Sequence, residues 1–257
     1  MVASLASTIS SPDGPRAAGG WTVHLHASAT STNDLAAPLP GWHAVVADRQ
    51  TGGRGRHRRS WVSDQGGLWL SAVLPTPGPA ADWAILPLAA GWALRSALAD
   101  LGVTDTRLRW PNDLMVGPAK LAGILVERFR ADTAVVGLGL NLLNQPETHD
   151  PALAGQTVRL ADLIAPVPVR SVVLDAILER LAHAQRLIAD RSVADLLPTL
   201  NTAWTGARVA IEIDGRPAPL TGRLSAVDAT GRLQLDADDG TRHHLSPLQV
   251  ARLREIL

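Results

Sequence analysis

The chain has 257 residues, 46% of them hydrophobic and 19% charged, which is enough for one large globular domain, or one large and one small, with a proper core. Its formal net charge of +0 argues against a general polyanion binder, so any affinity for phosphate must come from a local cluster. The absence of cysteine excludes disulfides, thiolate metal sites and thiol nucleophiles, and it fits a reducing cytoplasm.

The first 20 residues are predicted to be a flexible tail. They carry no basic residue before Arg16 and no sustained apolar run, so they do not resemble a signal peptide. Residues 21–29 alternate as a strand does, and the STND segment that begins at Ser31 supplies helix-capping residues. The longest apolar run, 83–94, is shorter than the roughly 18 residues of a membrane span, so no membrane association is expected.

A glycine- and arginine-rich segment, GRGRHRR at 53–59, lies between predicted strands at 42–48 and 67–75. Guanidinium groups bind phosphate oxygens through paired hydrogen bonds, and glycine lets the backbone wrap closely, so this segment suits a phosphate-bearing ligand. It lacks the GxxxxGK[ST] pattern of a P-loop. Taken alone, a solvated arginine-rich loop is the commoner explanation.

The next part of the chain is predicted to hold a helix over 83–102 and then strands over 106–110, 120–129 and 133–143, joined by short turns that favour antiparallel pairing. The first of these turns includes RWPND, 109–113. Its Asp113 could hold Mg²⁺ while Arg109 and Asn112 address phosphate oxygens. A plain Asn-Asp turn is a strong alternative.

Lys120 is the only lysine, whereas the other 23 basic residues counted with it are arginine. A compact ammonium suits a crowded reacting centre, so Lys120 is a candidate for chemistry; survival of one lysine by chance is the alternative. In VGLGLN, 136–141, the glycines indicate a bulge or a close approach to the strand, or else core packing. Trp61 could present an aromatic face to a ring.

Prolines interrupt regular structure between 146 and 168, and a long helix is predicted over 171–190, followed by a shorter one that reaches Trp204. From 206 onward, short alternating runs separated by turn residues predict a small antiparallel barrel, with a domain boundary near 205.

Five motifs in this order, STN, QTGGRGRHRRSW, RWPND, KLAGILVE and GLGLN, resemble those of the biotin protein ligases. Members of that family make biotinyl-adenylate from biotin and ATP with Mg²⁺ and pass biotin to a lysine of a carrier domain. The resemblance implies an α+β fold, class II synthetase-like, with a mixed, largely antiparallel sheet and packed helices. It implies a tail at 1–20, a catalytic domain at 21–205 and an SH3-like barrel at 206–257.

The resemblance also implies roles for individual residues. Lys120 and Arg56 would be catalytic, with Lys120 between the biotin carboxylate and the α-phosphate, and Asp113 would serve the metal. The biotin-binding set would be Ser31, Thr32, Asn33, Gln50, Arg54, Arg56, Lys120 and Gly123. The set that binds ATP and the adenylate would be Arg54, Arg56, Arg59, Trp61, Arg109, Asn112, Lys120 and Asn141.

The resemblance implies a biotin carboxyl carrier domain of acyl-CoA or pyruvate carboxylases as partner, a cytoplasmic location and a monomer or weak homodimer. No DNA binding is expected, because no winged-helix segment precedes the catalytic motifs. Two positions depart from the family pattern: Arg109 replaces a usual lysine and Arg58 a common glycine. A lipoate ligase or octanoyltransferase, a non-catalytic biotin sensor and an Arg-Gly nucleic-acid-binding module are the alternatives.

Overall fold

The computed structural model describes residues 15–202 and 206–256. Its larger part is an eight-stranded sheet with the order β1-β2-β3-β4-β8-β7-β6-β5. The strands are β1 (Arg16–Ala18), β2 (Trp21–His26), β3 (His43–Ala47), β4 (Leu68–Pro75), β5 (Arg107–Arg109), β6 (Asp113–Val116), β7 (Ala119–Glu127) and β8 (Thr133–Leu140). All neighbours pair antiparallel except β2 and β3, which run parallel. The predicted α+β class with a mixed, largely antiparallel sheet is confirmed.

Two long helices pack on this sheet and on each other: α2 (Leu86–Asp100) and α3 (Arg170–Ala189). Their apolar positions are buried in one continuous core with the sheet. Helix α2 begins later than the predicted residue 83, because a separate 3₁₀ turn occupies 80–83 and a proline takes the first turn of the helix. No helix among the described residues is long and apolar enough to cross a membrane.

The short helix α1 (Thr32–Ala36) lies against a second, smaller apolar cluster. This cluster comprises Ala36, Val45, Val73 and Val135. Strand residues alternate between the two faces of a sheet, so Val45 faces the side opposite to its neighbours in the main core. Helix α1 therefore packs on the sheet face opposite to the one that α2 and α3 cover.

Two segments differ from the sequence-based prediction. Residues 16–18, predicted as part of a flexible tail, form β1 and pair with β2, because Gly19 and Gly20 adopt positive φ and close a tight hairpin. Residues 113–116, predicted as part of a turn, form β6, because Leu114 and Met115 are buried and pair with both neighbouring strands. Residues 1–14 lie outside the described part of the chain.

The C-terminal part is a five-stranded antiparallel sheet with the order β12-β11-β10-β9-β13. Its strands are β9 (Arg208–Ile213), β10 (Leu220–Val227), β11 (Leu233–Ala237), β12 (Arg242–Leu245) and β13 (Val250–Glu255). The predicted small antiparallel unit is thus present, while closure into a barrel stays a prediction. Helix α4 (Leu197–Thr202) precedes it, and the predicted boundary and Trp204 fall in 203–205, outside the described residues.

The two parts touch at a point that matters for the site. The indole N–H of Trp110, next to the turn of the RWPND motif, donates to the carbonyl of Gly231 over 3.1 Å, and both the indole and this bond are buried. Gly231 has a positive φ and packs closely against the backbone of Ala84 and Ile85. The turn between β10 and β11 therefore helps to fix the start of the RWPND turn.

Candidate active site

A cavity of about 640 Å³ opens on the sheet face beside α1. It collects every residue that the sequence suggested for a site, although these residues come from α1, the loops after β3 and β8, and strands β5 to β7. They are Ser31, Thr32, Asn33, Gln50, Arg54, Arg56, Arg59, Trp61, Arg109, Asn112, Asp113, Lys120, Gly123 and Asn141. The fold thus brings together residues that are up to 110 positions apart in the chain.

At one end of the cavity lies a network of hydrogen-bonded side chains, here called the polar floor. Thr32, Asn33 and the half-buried Gln50 line the cavity, and the buried Ser63 and Ser71 are bonded to them. The backbone N–H of Thr32 donates to Gln50 Oε1 over 2.8 Å, and Gln50 Nε2 donates to Ser63 Oγ over 2.9 Å. Ser71 Oγ lies 2.7 Å from Thr32 Oγ1 and 2.5 Å from Asn33 Oδ1. Each side chain of the floor is therefore held by another.

The capping explanation for the STND segment does not account for its side chains. Ser31, at the N-cap position of α1, makes no side-chain capping hydrogen bond within the described chain, and the Thr32 hydroxyl faces Gln50 and Ser71. These hydroxyls line the cavity.

The glycines of VGLGLN and of β7 make room for two of the predicted site residues. A Cβ atom on Gly137 would lie 2.4 Å from Asn33 Oδ1, and one on Gly139 would lie 2.5 Å from Trp61 Nε1. Gly123 pairs with Gly139 across β7 and β8, and its Cβ would lie 3.0 Å from the Trp61 ring. The glycines thus permit the close approach that the motif predicted, without a bulge in the β7–β8 register.

Lys120 lines the cavity together with Asp113 and Arg109. Its Nζ is 2.6 Å from Asp113 Oδ1, while Arg109 Nη2 is 2.7 Å from Asp113 Oδ2, and only 25% of the Lys120 side chain is exposed. Burial works to raise the pKa of Asp113, but the charges and hydrogen bonds of Lys120 and Arg109 outweigh it and hold this pKa below its usual range. The ammonium also lies 4.8 Å from the centre of the Trp61 ring.

The carboxylate of Asp113 is better suited to binding the two cationic side chains than to binding magnesium, because its two oxygens are already paired with Lys120 and Arg109. Within the described ranges, no group of three or more His, Asp or Glu side chains could hold a metal ion. A protein-held Mg²⁺ at Asp113 therefore stays a prediction.

Asn112 and Asn141 are both fixed by protein partners. Asn112 Nδ2 donates to the carbonyl of Ile124 over 2.9 Å, which ties the RWPND turn to β7. The buried amide of Asn141 contacts Asn144 and, over 3.4 Å, the carbonyl of Val158. Both residues line the cavity, but part of their hydrogen-bonding capacity is already used.

The arginine loop, residues 53–59, covers the other end of the cavity. Arg54 forms two hydrogen bonds, 2.8 and 2.5 Å long, with the carboxylate of Asp34. Arg56 donates to the backbone carbonyls of Pro247 and Val250, the latter over 3.1 Å, and Arg59 donates to that of Ala251 over 3.2 Å. Burial lowers the pKa of Arg56 from its ordinary high value. The loop is thus held by the C-terminal sheet.

Four features of this site were not predicted from the sequence: the side chains of Asp34, Ser71 and Glu127, and the backbone carbonyls of segment 247–251. Ser71 carried a signal, since it is the one hydroxyl in the apolar strand β4. Glu127 could have been suspected as the acidic end of KLAGILVE. Backbone carbonyls leave no trace in a sequence, so segment 247–251 could not have been found.

The cavity combines a polar floor, a single lysine ammonium and a loop of arginines, and the sequence that builds it is similar to those of known proteins. Residues 26–141 match the biotin/lipoate A/B protein ligase family. A biotin–[acetyl-CoA-carboxylase] ligase of Mycobacterium tuberculosis is 32% identical over 231 residues, which cover 87% of this chain and 82% of that protein. The bifunctional ligase/repressor BirA of Bacillus subtilis is 28% identical over 77% of this chain and 62% of its own length.

A solved structure agrees with this relationship. The biotin protein ligase from Aquifex aeolicus, in complex with biotin and ATP, superposes with a TM-score of 0.79 at 25% identity, over 91% of this chain and 99% of that one. The chain therefore belongs to the biotin protein ligases of the biotin/lipoate A/B protein ligase family.

Proposed function

We propose that this chain is an ATP-dependent biotin protein ligase, which converts biotin to biotinyl-5′-AMP with release of pyrophosphate and then transfers biotin to a lysine of a carrier protein. The names of its relatives and the Aquifex aeolicus complex with biotin and ATP support this function. The observation that carries it is that Lys120, the one lysine of the chain, lines the same cavity as residues of the polar floor and of the arginine loop, with its Nζ 2.6 Å from Asp113 Oδ1.

The polar floor suits the ring end of biotin. A ureido ring offers N–H donors and a carbonyl acceptor, and the floor offers hydroxyl and amide groups that are already oriented by one another. We assign the rings to Ser31, Thr32, Asn33 and Gln50. Gly123 also lines the cavity, beside Trp61 and Lys120, and we assign it to the acyl chain of biotin.

In the first step, a biotin carboxylate oxygen bonds to the α-phosphorus of ATP while the bond from that phosphorus to the β-phosphate oxygen breaks. Two anions must approach, and charge accumulates on the phosphoryl oxygens. A small cation between them offsets the repulsion, and we assign this role to Lys120. Arg54, Arg56 and Arg59 would hold phosphate oxygens, with Trp61, Arg109, Asn112 and Asn141 around the nucleotide. Mg²⁺ enters with ATP as part of the substrate.

In the second step, the neutral amine of a carrier lysine attacks the acyl carbon, the bond from that carbon to the AMP oxygen breaks, and the amine loses a proton. The mixed anhydride must be shielded from water until then, and the arginine loop lies where it can cover it. Carboxylase carrier proteins are the acceptors that the relatives' names imply. The finer assignment, a biotin carboxyl carrier domain of acyl-CoA or pyruvate carboxylases, is our proposal.

Several further assignments belong to the same proposal. The catalytic domain would span 21–205, and residues 206–257 would form an SH3-like domain. The reaction would take place in the cytoplasm. The absence of DNA and membrane partners and a monomer or weak homodimer stay predictions.

The test is to incubate the purified chain with ATP, Mg²⁺ and equal amounts of biotin, lipoate and octanoate, and to identify the acyl-adenylates by mass spectrometry. Biotinyl-AMP as the main product supports the proposal. Lipoyl-AMP or octanoyl-AMP would move the chain to the lipoate side of the family, and binding of biotin without any adenylate would make it a sensor.

A further inference from the structure

Glu127 is hydrogen-bonded to Asn33 of the polar floor, although the sequence analysis assigned it no role. Its carboxylate oxygen Oε2 accepts a 2.6 Å hydrogen bond from Asn33 Nδ2, and the same nitrogen lies 3.5 Å from the carbonyl of Leu125. A carboxylate only accepts, so this contact fixes the Asn33 amide with its nitrogen toward Glu127 and its oxygen toward Ser71.

The orientation of Asn33 determines where the hydroxyl protons lie. Ser71 is fully buried and has one proton, yet its Oγ contacts both Asn33 Oδ1 and Thr32 Oγ1. Because Asn33 Oδ1 can only accept, the Ser71 proton points to it. The proton for the 2.7 Å contact between Ser71 and Thr32 must then come from Thr32.

This arrangement leaves one contact without a proton. Thr32 Oγ1 and Gln50 Oε1 lie 3.0 Å apart, and the Thr32 proton is already used toward Ser71. The Gln50 amide cannot turn round to help, because its Nε2 donates to Ser63, whose hydroxyl lies 3.1 Å from the carbonyl of Trp61. Thr32 and Gln50 both line the cavity, so a ligand N–H that reaches these two oxygens would supply the missing proton.

We propose that Glu127 is a positioning residue that makes the Thr32–Gln50 pair an acceptor of a ligand N–H, and thereby a determinant of specificity for the ureido ring of biotin. This inference rests on the proposed function. An acyl acid without a ring N–H, such as lipoate, leaves the two oxygens unpaired in a buried site. Sites built to hydrogen-bond a substrate group reject analogues that lack it.

The experiment replaces Glu127 by glutamine, which keeps the size but adds an N–H₂ donor. Asn33 can then turn its oxygen toward the new side-chain amide, and the Ser71 hydroxyl can donate to Thr32 Oγ1 in place of Asn33. The Thr32 hydroxyl is then free to donate to Gln50 Oε1, so this pair no longer needs an N–H from the ligand. For Glu127→Gln we expect the KM for biotin in pyrophosphate exchange to rise about tenfold, the cost of one buried neutral hydrogen bond. Turnover at saturating biotin should change less, by about twofold at most.

The matched control is Asp34→Asn. Asp34 binds Arg54, and Glu127 lies 3.8 Å from the same arginine, so both variants weaken the hold on Arg54 but only Glu127→Gln reaches Asn33. The ratio of biotinyl-AMP to lipoyl-AMP, formed from an equal mixture, should fall further with Glu127→Gln than with Asp34→Asn. Equal changes in both variants would assign the effect to Arg54 and overturn the proposal.

A double-mutant cycle separates orientation from simple loss of fold. If Glu127 acts through Ser71, the KM effects of Glu127→Gln and Ser71→Ala will be markedly non-additive, whereas independent effects would overturn the proposal. If Glu127→Gln lowers the melting temperature, Glu127→Asp is measured beside it. This variant retains the carboxylate acceptor at position 127 and should restore the selectivity for biotin over lipoate. If the wild-type chain forms no biotinyl-AMP, the proposed function fails; if it does and Glu127→Gln keeps both KM and selectivity, only this inference fails.

Discussion

The polar floor and the arginine loop are the two ends of one cavity, and they are built in different ways. Floor residues lie on α1, β4 and adjoining loops, are buried except for the half-buried Gln50, and bond to one another. The arginines of the loop bond to Asp34 and to carbonyls of 247–251, which lie outside the loop and are in part exposed to solvent.

This difference separates recognition from retention. A floor whose donors and acceptors are already fixed costs little to organise when biotin arrives, so it can select the ring. The loop's guanidinium groups are charged, and carbonyl oxygens are weaker partners for them than phosphate. We therefore propose that phosphate replaces the carbonyls of Val250 and Ala251 as the partner of these arginines, so that the loop would hold the adenylate and later release it.

Lys120 lines the same cavity, and Lys120→Arg should have the largest effect. The space around Nζ is set by Asp113 at 2.6 Å and the Trp61 ring at 4.8 Å, so a planar guanidinium keeps the charge but does not fit the gap. We expect adenylate formation to fall about 10²–10³-fold, the usual cost of losing one electrostatic group. Pyrophosphate exchange measures it, with Lys120→Ala as the reference for complete loss. Near-normal turnover would show that charge alone suffices.

Asp113→Asn tests whether the ion pairs of Asp113 with Lys120 and Arg109 stabilise the fold. The substitution leaves Lys120 and Arg109 without a counter-charge, and we expect a loss of about 2 kcal/mol in the free energy of unfolding at pH 7. Because the folded-state pKa of Asp113 is depressed, its contribution is present above the unfolded pKa and is lost as pH falls through the folded value.

Urea unfolding of wild type and Asp113→Asn at several pH values measures this contribution. The difference between the two proteins should be constant near neutrality and shrink below about pH 4, where the unfolded carboxyl takes up its proton. A difference that does not change with pH would mean that Asp113 acts through packing and not through its charge.

Arg56→Gly tests retention by the loop. The variant removes the side chain that reaches Pro247 and Val250 and that we assign to phosphate. Biotin affinity should change little, because the floor is untouched, while release of free biotinyl-AMP should rise about tenfold, the value of one charge-assisted hydrogen bond. Labelling of a bystander protein, such as albumin, measures the released adenylate. Unchanged labelling would break the division between recognition and retention.

Much of this fold and site follows from the sequence, and the exceptions have physical reasons. The motif residues could be predicted to converge because their order resembles that of the biotin protein ligases, and all of them line the cavity. The role of Ser71 depends on Gly137 lying beside it in the register of β4 and β8, which no single sequence reveals. Segment 247–251 acts through its carbonyls, which every residue has, so only the fold distinguishes it.

The smallest effect is expected for Arg58→Gly, which is also the control for Arg56→Gly. Arg58 is exposed, does not line the cavity and has φ of 57°, in the left-handed region that favours the glycine common at this position in the family. Glycine relieves about 1 kcal/mol of backbone strain but gives the open loop more freedom, so the two effects nearly cancel. Urea unfolding and adenylate release should both stay close to wild type. If Arg58→Gly releases adenylate as fast as Arg56→Gly, backbone stiffness, and not the bonds of Arg56, keeps the intermediate in place.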